Sequence, residues 1–93
     1  QACVLHAVGD LRCEQVADPV PRAGEVLVCV AACGVCGSDI PRVFKTGAYR
    51  FPLIPGHEFC GEVAAYGDEV TSVKEGDFVS AEMHVACGKC LQC

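Results

Sequence analysis

The sequence has no surplus of basic charge. Seven Lys and Arg stand against twelve Asp and Glu, a formal net charge of -5. A nucleic-acid or anionic-membrane partner needs a basic patch, so neither is expected. No apolar run approaches the ~20 residues of a transmembrane helix. The opening QACVLHAVGD lacks the basic-then-apolar order of an export signal. It also begins on an apolar run without an initiating Met, and the chain is expected to be trimmed at both ends. There is no internal repeat and no low-complexity tract. Nor is there a G-x-G-x-x-G between a strand and a helix, so no dinucleotide-binding fold is expected within these residues.

What is present is aliphatic and rich in cysteine. Leu, Ile, Val and Ala are abundant, which argues for a globular fold and against disorder. A chain of 93 residues makes one small domain with a marginal core. The nine cysteines are an odd number. A secreted disulfide framework is normally even and compensates for a poor apolar core. Reduced thiols in a cytoplasmic protein, some of them metal ligands, fit better. Cys3, Cys13, Cys29, Cys33 and Cys60 lie within apolar runs and are expected to be small buried hydrophobes.

Turn residues divide the chain into short strands. ACVLHAV, then Gly9-Asp10, then LRCEQV reads as a hairpin. ADPVPRAGE is a loop. EVLVCVAAC is apolar almost throughout and suits a strand buried on both faces. In GVCGSDIPRVFKTG, Ser38 or Asp39 can cap a short helix, with Pro41 in its first turn and Gly47 as its stop. Ile40, Val43 and Phe44 would share one face of that helix. AYRFPLIPG is a loop. EFCGEVAAYG is a strand with Gly61 inside it, a bulge candidate. DFVSAEMHVA reads as a last strand. Five or six strands to one short helix is a mainly β chain, a barrel or sandwich.

Three constellations carry chemistry. In GVCGSD, Cys36 sits just ahead of the helix start, where unpaired N–H groups favour a thiolate, the form that attacks and ligates. Taken alone it reads equally well as a buried cysteine. In PGHEF, His57 and Glu58 are neighbours. Adjacent strand residues point to opposite faces, so the pair by itself is a weak signal. Together, Cys36, His57 and a carboxylate make a mixed S/N/O set suited to zinc, with a fourth position open for water or substrate. The third constellation is Cys87-x2-Cys90-x2-Cys93. Soft thiolates at this spacing select zinc or an iron–sulfur cluster. A closed structural zinc site takes four ligands. Gly88 lets the backbone fold tightly there. Glu82 and His84 are nearby substitutes for a fourth ligand, and a cysteine beyond Cys93 would be more usual.

CGSD, PGHEFCGEV, EGDFVSAE and CGKCLQC, in that order, resemble the N-terminal catalytic domain of the zinc-dependent medium-chain alcohol and polyol dehydrogenases. The likeness runs over essentially the whole chain. GVCGSDIPRVFKTGAYRFPLIPGHEF looks most like the sugar-alcohol dehydrogenases acting on galactitol 1-phosphate, with sorbitol and threonine dehydrogenases close behind. The resemblance implies a GroES-like fold, a partly open β-barrel with one short helix and a Cys-rich lobe, over residues 1–93. It implies a catalytic zinc on Cys36 and His57, with Glu58 as third ligand or exchanging carboxylate. Asp39 matches the aspartate that fixes the ligand histidine's ring, and Ser38 the hydroxyl that receives the substrate proton. Classical members continue the relay with a histidine three residues beyond that Ser; here the position is Pro41. Cys87, Cys90 and Cys93 match three of four structural zinc ligands.

The implied activity is hydride transfer from a secondary alcohol, a polyol or polyol phosphate, to NAD or NADP. The nucleotide-binding Rossmann domain is not encoded here, so the chain is expected to be a fragment, inactive alone, of a homodimeric or homotetrameric enzyme. Arg42 and Tyr49 are the candidate substrate contacts. Arg42, with Lys45 and Arg50, brackets the substrate-side loop, where a phosphate would welcome one or two cations. The competing reading is a non-enzymatic zinc-binding β-barrel module. A co-chaperonin-like structural domain shares the fold but gives no reason for Cys36, His57 and Glu58 to occur together.

Overall fold

The computed structural model describes residues 1–87 and 89–91. Strands β1 (Ala2–Ala7) and β2 (Asp10–Glu14) form a hairpin, and β3 (Val26–Gly34), β4 (Glu58–Tyr66) and β5 (Phe78–Ser80) a second sheet in that order. Every pairing between these strands is antiparallel. Between β3 and β4 comes a single helical segment. Helix α1 (Asp39–Pro41) runs directly into a π-helical turn at Arg42–Thr46, and Gly47, at φ 75°, ends it. The mainly β expectation with one short helix therefore holds. The two sheets remain open rather than closing into a full barrel.

The hairpin anchors the segment that carries the site. Leu5 exchanges two backbone bonds with Leu53, at 2.7 and 3.0 Å, so the loop after the helix lies along the free edge of β1. The Gly9 N–H donates to the Val43 carbonyl at 2.7 Å. That bond satisfies one of the carbonyls a helix end leaves without an internal partner. Val4 and Leu5 are both buried, although successive strand residues face opposite ways. Val4 faces the cleft walled by Arg50, Pro52, Leu53 and Ile54. The other side of the hairpin shares a groove with Ile40, Val43 and Phe44.

Gly61 is required by close approach. A Cβ there would collide with the carbonyl of Cys29 on β3. The neighbouring ladder is irregular: Val30 pairs with Gly61 and Ala32 with Cys60, so Ala31 is the extra residue. The bulge expected at Gly61 thus lies opposite it, on β3. A second irregularity lies between Leu27 and Val28.

Three expectations fail on burial and length. Strand β3 was expected to be covered on both faces, and most of its residues are exposed. Cys3, Cys13, Cys29 and Cys33 are exposed, and Cys60 is half-buried, instead of lying in a core. Apolar patterning anticipates a covering layer, and the described residues form only two small sheets. Among the described residues the buried apolar ones are Val4, Leu5, Val43 and Val63. The last strand covers Phe78–Ser80 alone rather than running through residue 86. Its partner on β4 is used up once Cys60 pairs with Ser80 and the Ala81 N–H reaches the Phe59 carbonyl.

Candidate metal centre and adjoining cleft

The end of β3, the turn into α1 and the start of β4 meet at one point. Gly34, the last residue of β3, pairs with Glu58, the first of β4. Two residues beyond Gly34 comes Cys36, and one before Glu58 comes His57. The register alone therefore brings Cys36, His57 and Glu58 together. Their ligand atoms all lie within 4.8 Å of one another. Bond lengths of 2.0–2.3 Å put the ligands of a tetrahedral zinc about 3.3–3.8 Å apart. An ion would need to draw this set in by roughly an ångström.

Strand alternation does not separate His57 from Glu58, because His57 precedes the strand. It follows Gly56, whose φ is 115°, in the loop before β4, and one of its ring nitrogens lies within 4.8 Å of the Cys36 sulfur. Strand logic made the pair look weak in the sequence, and the strand starts one residue too late for it to apply.

Asp39 lies behind the three. It is 8% exposed, and it is the buried charged residue of the described chain. Oδ2 accepts the Cys36 N–H at 2.9 Å, and Oδ1 lies 3.7 Å from Nδ1 of His57. The Asp39 N–H in turn donates to the Cys36 carbonyl at 2.9 Å. One carboxylate thus fixes the backbone at Cys36 and faces the His57 ring. With Nδ1 turned to Asp39, Nε2 is the nitrogen left for an ion. The helix cap differs from expectation: Ser38 makes no capping bond and has helical angles. The Asp39 carboxylate reaches back to Cys36 instead of forward into the helix.

Gly34 is a contributor that sequence reasoning missed. A Cβ at this position would stand 2.7 Å from Oε2 of Glu58 and 3.3 Å from its Cβ. The missing side chain is the space that the Glu58 carboxylate occupies. Only the strand register exposes this, and no local sequence signal encodes it.

Ser38 is exposed and opens onto a cleft of about 280 Å³ with Arg42, Thr46, Gly47, Ala48 and Tyr49. The three residues singled out for substrate and proton, Ser38, Arg42 and Tyr49, therefore line one cavity. Arg42, Tyr49 and Arg50 also share a second, adjoining cleft. Lys45 lines neither cleft. Thr46 was not anticipated; its hydroxyl donates to the Pro41 carbonyl at 3.2 Å. On the opposite side, Ile40, Val43 and Phe44 do share a face. They line an apolar groove of about 300 Å³ with Cys3 and Leu11, and of the three only Val43 is buried.

In the lobe, the sulfurs of Cys87 and Cys90 are 3.5 Å apart, and the Lys89 N–H points at Cys87 Sγ from 3.4 Å. That separation suits two thiolates on one ion, which Zn–S bonds of 2.3 Å would hold about 3.8 Å apart. Cys93 and Gly88 lie outside the described residues. Glu82 and His84, the substitutes considered for a fourth ligand, bond to each other at 2.8 Å. That bond holds the Glu82 carboxyl below the usual carboxylate range. Among the described residues, the one grouping of three or more donor side chains is Cys36, His57 and Glu58.

Residues 22–93 match the family model for the alcohol dehydrogenase GroES-like domain. Over 82 residues the chain is 44% identical to an L-threonine 3-dehydrogenase of Bacillus licheniformis, covering 81% of this chain and 23% of that protein. It is 40% identical over 80 residues to a galactitol 1-phosphate 5-dehydrogenase of Escherichia coli, covering 86% of this chain and 23% of that protein. The fold superposes with a TM-score of 0.87 on a zinc-binding dehydrogenase from Sinorhizobium meliloti bound to NADP, at 35% identity, over 99% of this chain and 27% of that one. The chain spans about a quarter of the length of the curated relatives it matches.

Proposed function

Because the chain belongs to the alcohol dehydrogenase GroES-like domain family, we propose that it is the metal-holding part of an oxidoreductase. The reaction is hydride transfer between a secondary alcohol and a nicotinamide cofactor, NAD or NADP. The observation that carries this reading is the convergence of Cys36, His57 and Glu58, with the Asp39 carboxylate behind them. A buried aspartate that faces the histidine of a Cys/His/Glu set has the form of an outer partner that orients a metal ligand.

In this reading Cys36, His57 and Glu58 hold a zinc ion. The donor set fits: one thiolate, one imidazole and one carboxylate leave a fourth position open. The ion supplies Lewis acidity, which favours loss of a proton from an alcohol hydroxyl. Asp39 keeps the His57 ring in place. Ser38, at the mouth of the neighbouring cleft, receives the hydroxyl proton. Arg42 lines the same cleft and can take a phosphate on the substrate, so a polyol or polyol phosphate is the favoured class. Tyr49 lines the same cleft. The described strands pair only antiparallel, so the crevice of a parallel sheet that would hold a nicotinamide is sought outside these residues. Cys87 and Cys90, with Cys93, would hold a second, structural zinc.

The test is a panel of polyols and their phosphates, offered with each nicotinamide cofactor to the enzyme that contains this chain. Oxidation of at least one secondary alcohol is expected. Cys36→Ser should abolish it while zinc remains bound at the Cys87–Cys90 lobe, measured by metal analysis. Full activity in that variant would remove Cys36 from the chemistry.

A further inference from the structure

Two cysteines outside the metal centre face each other across the first hairpin. In the β1–β2 ladder Cys3 pairs directly with Cys13, Val4 with Arg12 and Leu5 with Leu11. The backbone groups of Leu5 are both spent on Leu53, on the far edge of β1. Leu5 and Leu11 are therefore a non-hydrogen-bonded pair within the hairpin. Pairs alternate along an antiparallel ladder. Two positions on, Cys3 and Cys13 are a non-hydrogen-bonded pair as well, the kind whose Cα atoms lie about 4.5 Å apart with side chains drawn close. That separation falls within the roughly 4.4–6.8 Å over which a disulfide can form without backbone movement. Both thiols are exposed, so an oxidant can reach them.

We propose that Cys3 and Cys13 form a reversible cross-strand disulfide site, loaded by thiol–disulfide exchange with a low-molecular-weight disulfide. The Cys3 thiolate attacks one sulfur of the small disulfide. Its S–S bond breaks, one small thiolate leaves, and a mixed disulfide forms on Cys3. The Cys13 thiolate then attacks the Cys3 sulfur and expels the second small thiolate. The two protein thiols lose two electrons, and the small disulfide gains them. The protons of Cys3 and Cys13 end on the two released thiols. Exchange depends on thiolate and access at both ends. The ladder supplies the second thiol directly opposite the first, so the mixed disulfide is short-lived. The bridge would close a loop over residues 4–12. It would also fix the edge of the groove that Cys3 and Leu11 share with Phe44. Cys29 and Cys33 are exposed too, but their partners across the β3–β4 ladder are Glu62 and Phe59. Neither has a thiol opposite it.

The experiment treats the full 93-residue chain, in excess zinc, with graded glutathione disulfide, then alkylates and maps peptides by mass spectrometry. Cleavage after Arg12 and Arg22 places the two cysteines on separate peptides, 1–12 and 13–22, so the bridge is read as one joined species. These two peptides should join at lower oxidant than any other pair outside the metal sites, and separate again with a dithiol. In Cys3→Ser or Cys13→Ser the remaining cysteine should instead keep a stable glutathione adduct, because the resolving thiol is gone. Stable glutathione on both cysteines of the unsubstituted chain would overturn the proposal. So would bridging of either one to a different cysteine, or no reaction at oxidant levels that modify Cys29 and Cys33.

Discussion

At the scale of single residues, the site depends on side chains and on one missing side chain. Gly34 clears the volume that the Glu58 carboxylate fills. In Gly34→Ala the atom displaced is the flexible end of Glu58, so the fold should survive while the carboxylate leaves its position. We expect zinc affinity to drop about 10–100-fold, the usual cost of disturbing the support of a metal ligand. Competition with a chromophoric chelator measures it. In a Glu58→Ala background the same change should cost little further; equal losses in both backgrounds would mean Gly34 acts through the backbone. A second residue-scale prediction concerns pH. The His84 hydrogen bond lowers the Glu82 carboxyl from its ordinary value. A depressed acid stabilises the fold above its unfolded-state pKa, and that contribution is lost as pH falls through the folded value. Both groups are exposed, so the gain is small. His84→Ala should move the Glu82 titration midpoint upward, followed by NMR of the side-chain carboxyl; an unmoved midpoint would show the pair does not persist in solution.

At the scale of elements, the hairpin holds the helical segment and the helical segment holds the site. Leu5 is fully buried at 0% exposure and bonds through its backbone to Leu53, while Gly9 bonds to Val43. Truncating such a residue loses its transfer free energy and leaves a cavity. Leu5→Ala should cost about 2–5 kcal/mol, read as a shifted denaturant midpoint. The Cys36–Asp39 turn is tied down by its own bonds. The expected order is therefore loss of stability first and loss of metal only as the hairpin opens. A variant that lost zinc affinity at full stability would place Leu5 closer to the site than these contacts do. The short helix shows why capping rules misread this stretch. Ser38 and Asp39 are good capping residue types, but the carboxylate had a stronger competing use between the Cys36 N–H and His57.

At the scale of the whole molecule, two open sheets share very little interior. Val4, Leu5, Val43 and Val63 are the buried apolar residues of the described chain. Metal binding should therefore matter greatly to stability. Zinc held at about 100 times its dissociation constant adds about 2.7 kcal/mol to whatever form binds it. For a chain of this size that is a rise in thermal midpoint on the order of 10–20 °C. Calorimetry of the chain with and without a chelator tests this; an unchanged midpoint would show that the folded chain does not bind zinc. The sequence by itself determined a mainly β chain of five or six strands, its first hairpin and the place of the helix, and it singled out Cys36, His57 and Glu58 as candidate donors. Turn residues, apolar runs and ligand chemistry are local, and local rules read them. Only the tertiary structure decided that β3 is mostly exposed, since burial depends on what lies across the sheet and not on the strand's own residues. Only the register between β3 and β4 set Gly34 against Glu58. Only the point at which β4 begins let His57 and Glu58, neighbours in the chain, turn toward the same cysteine.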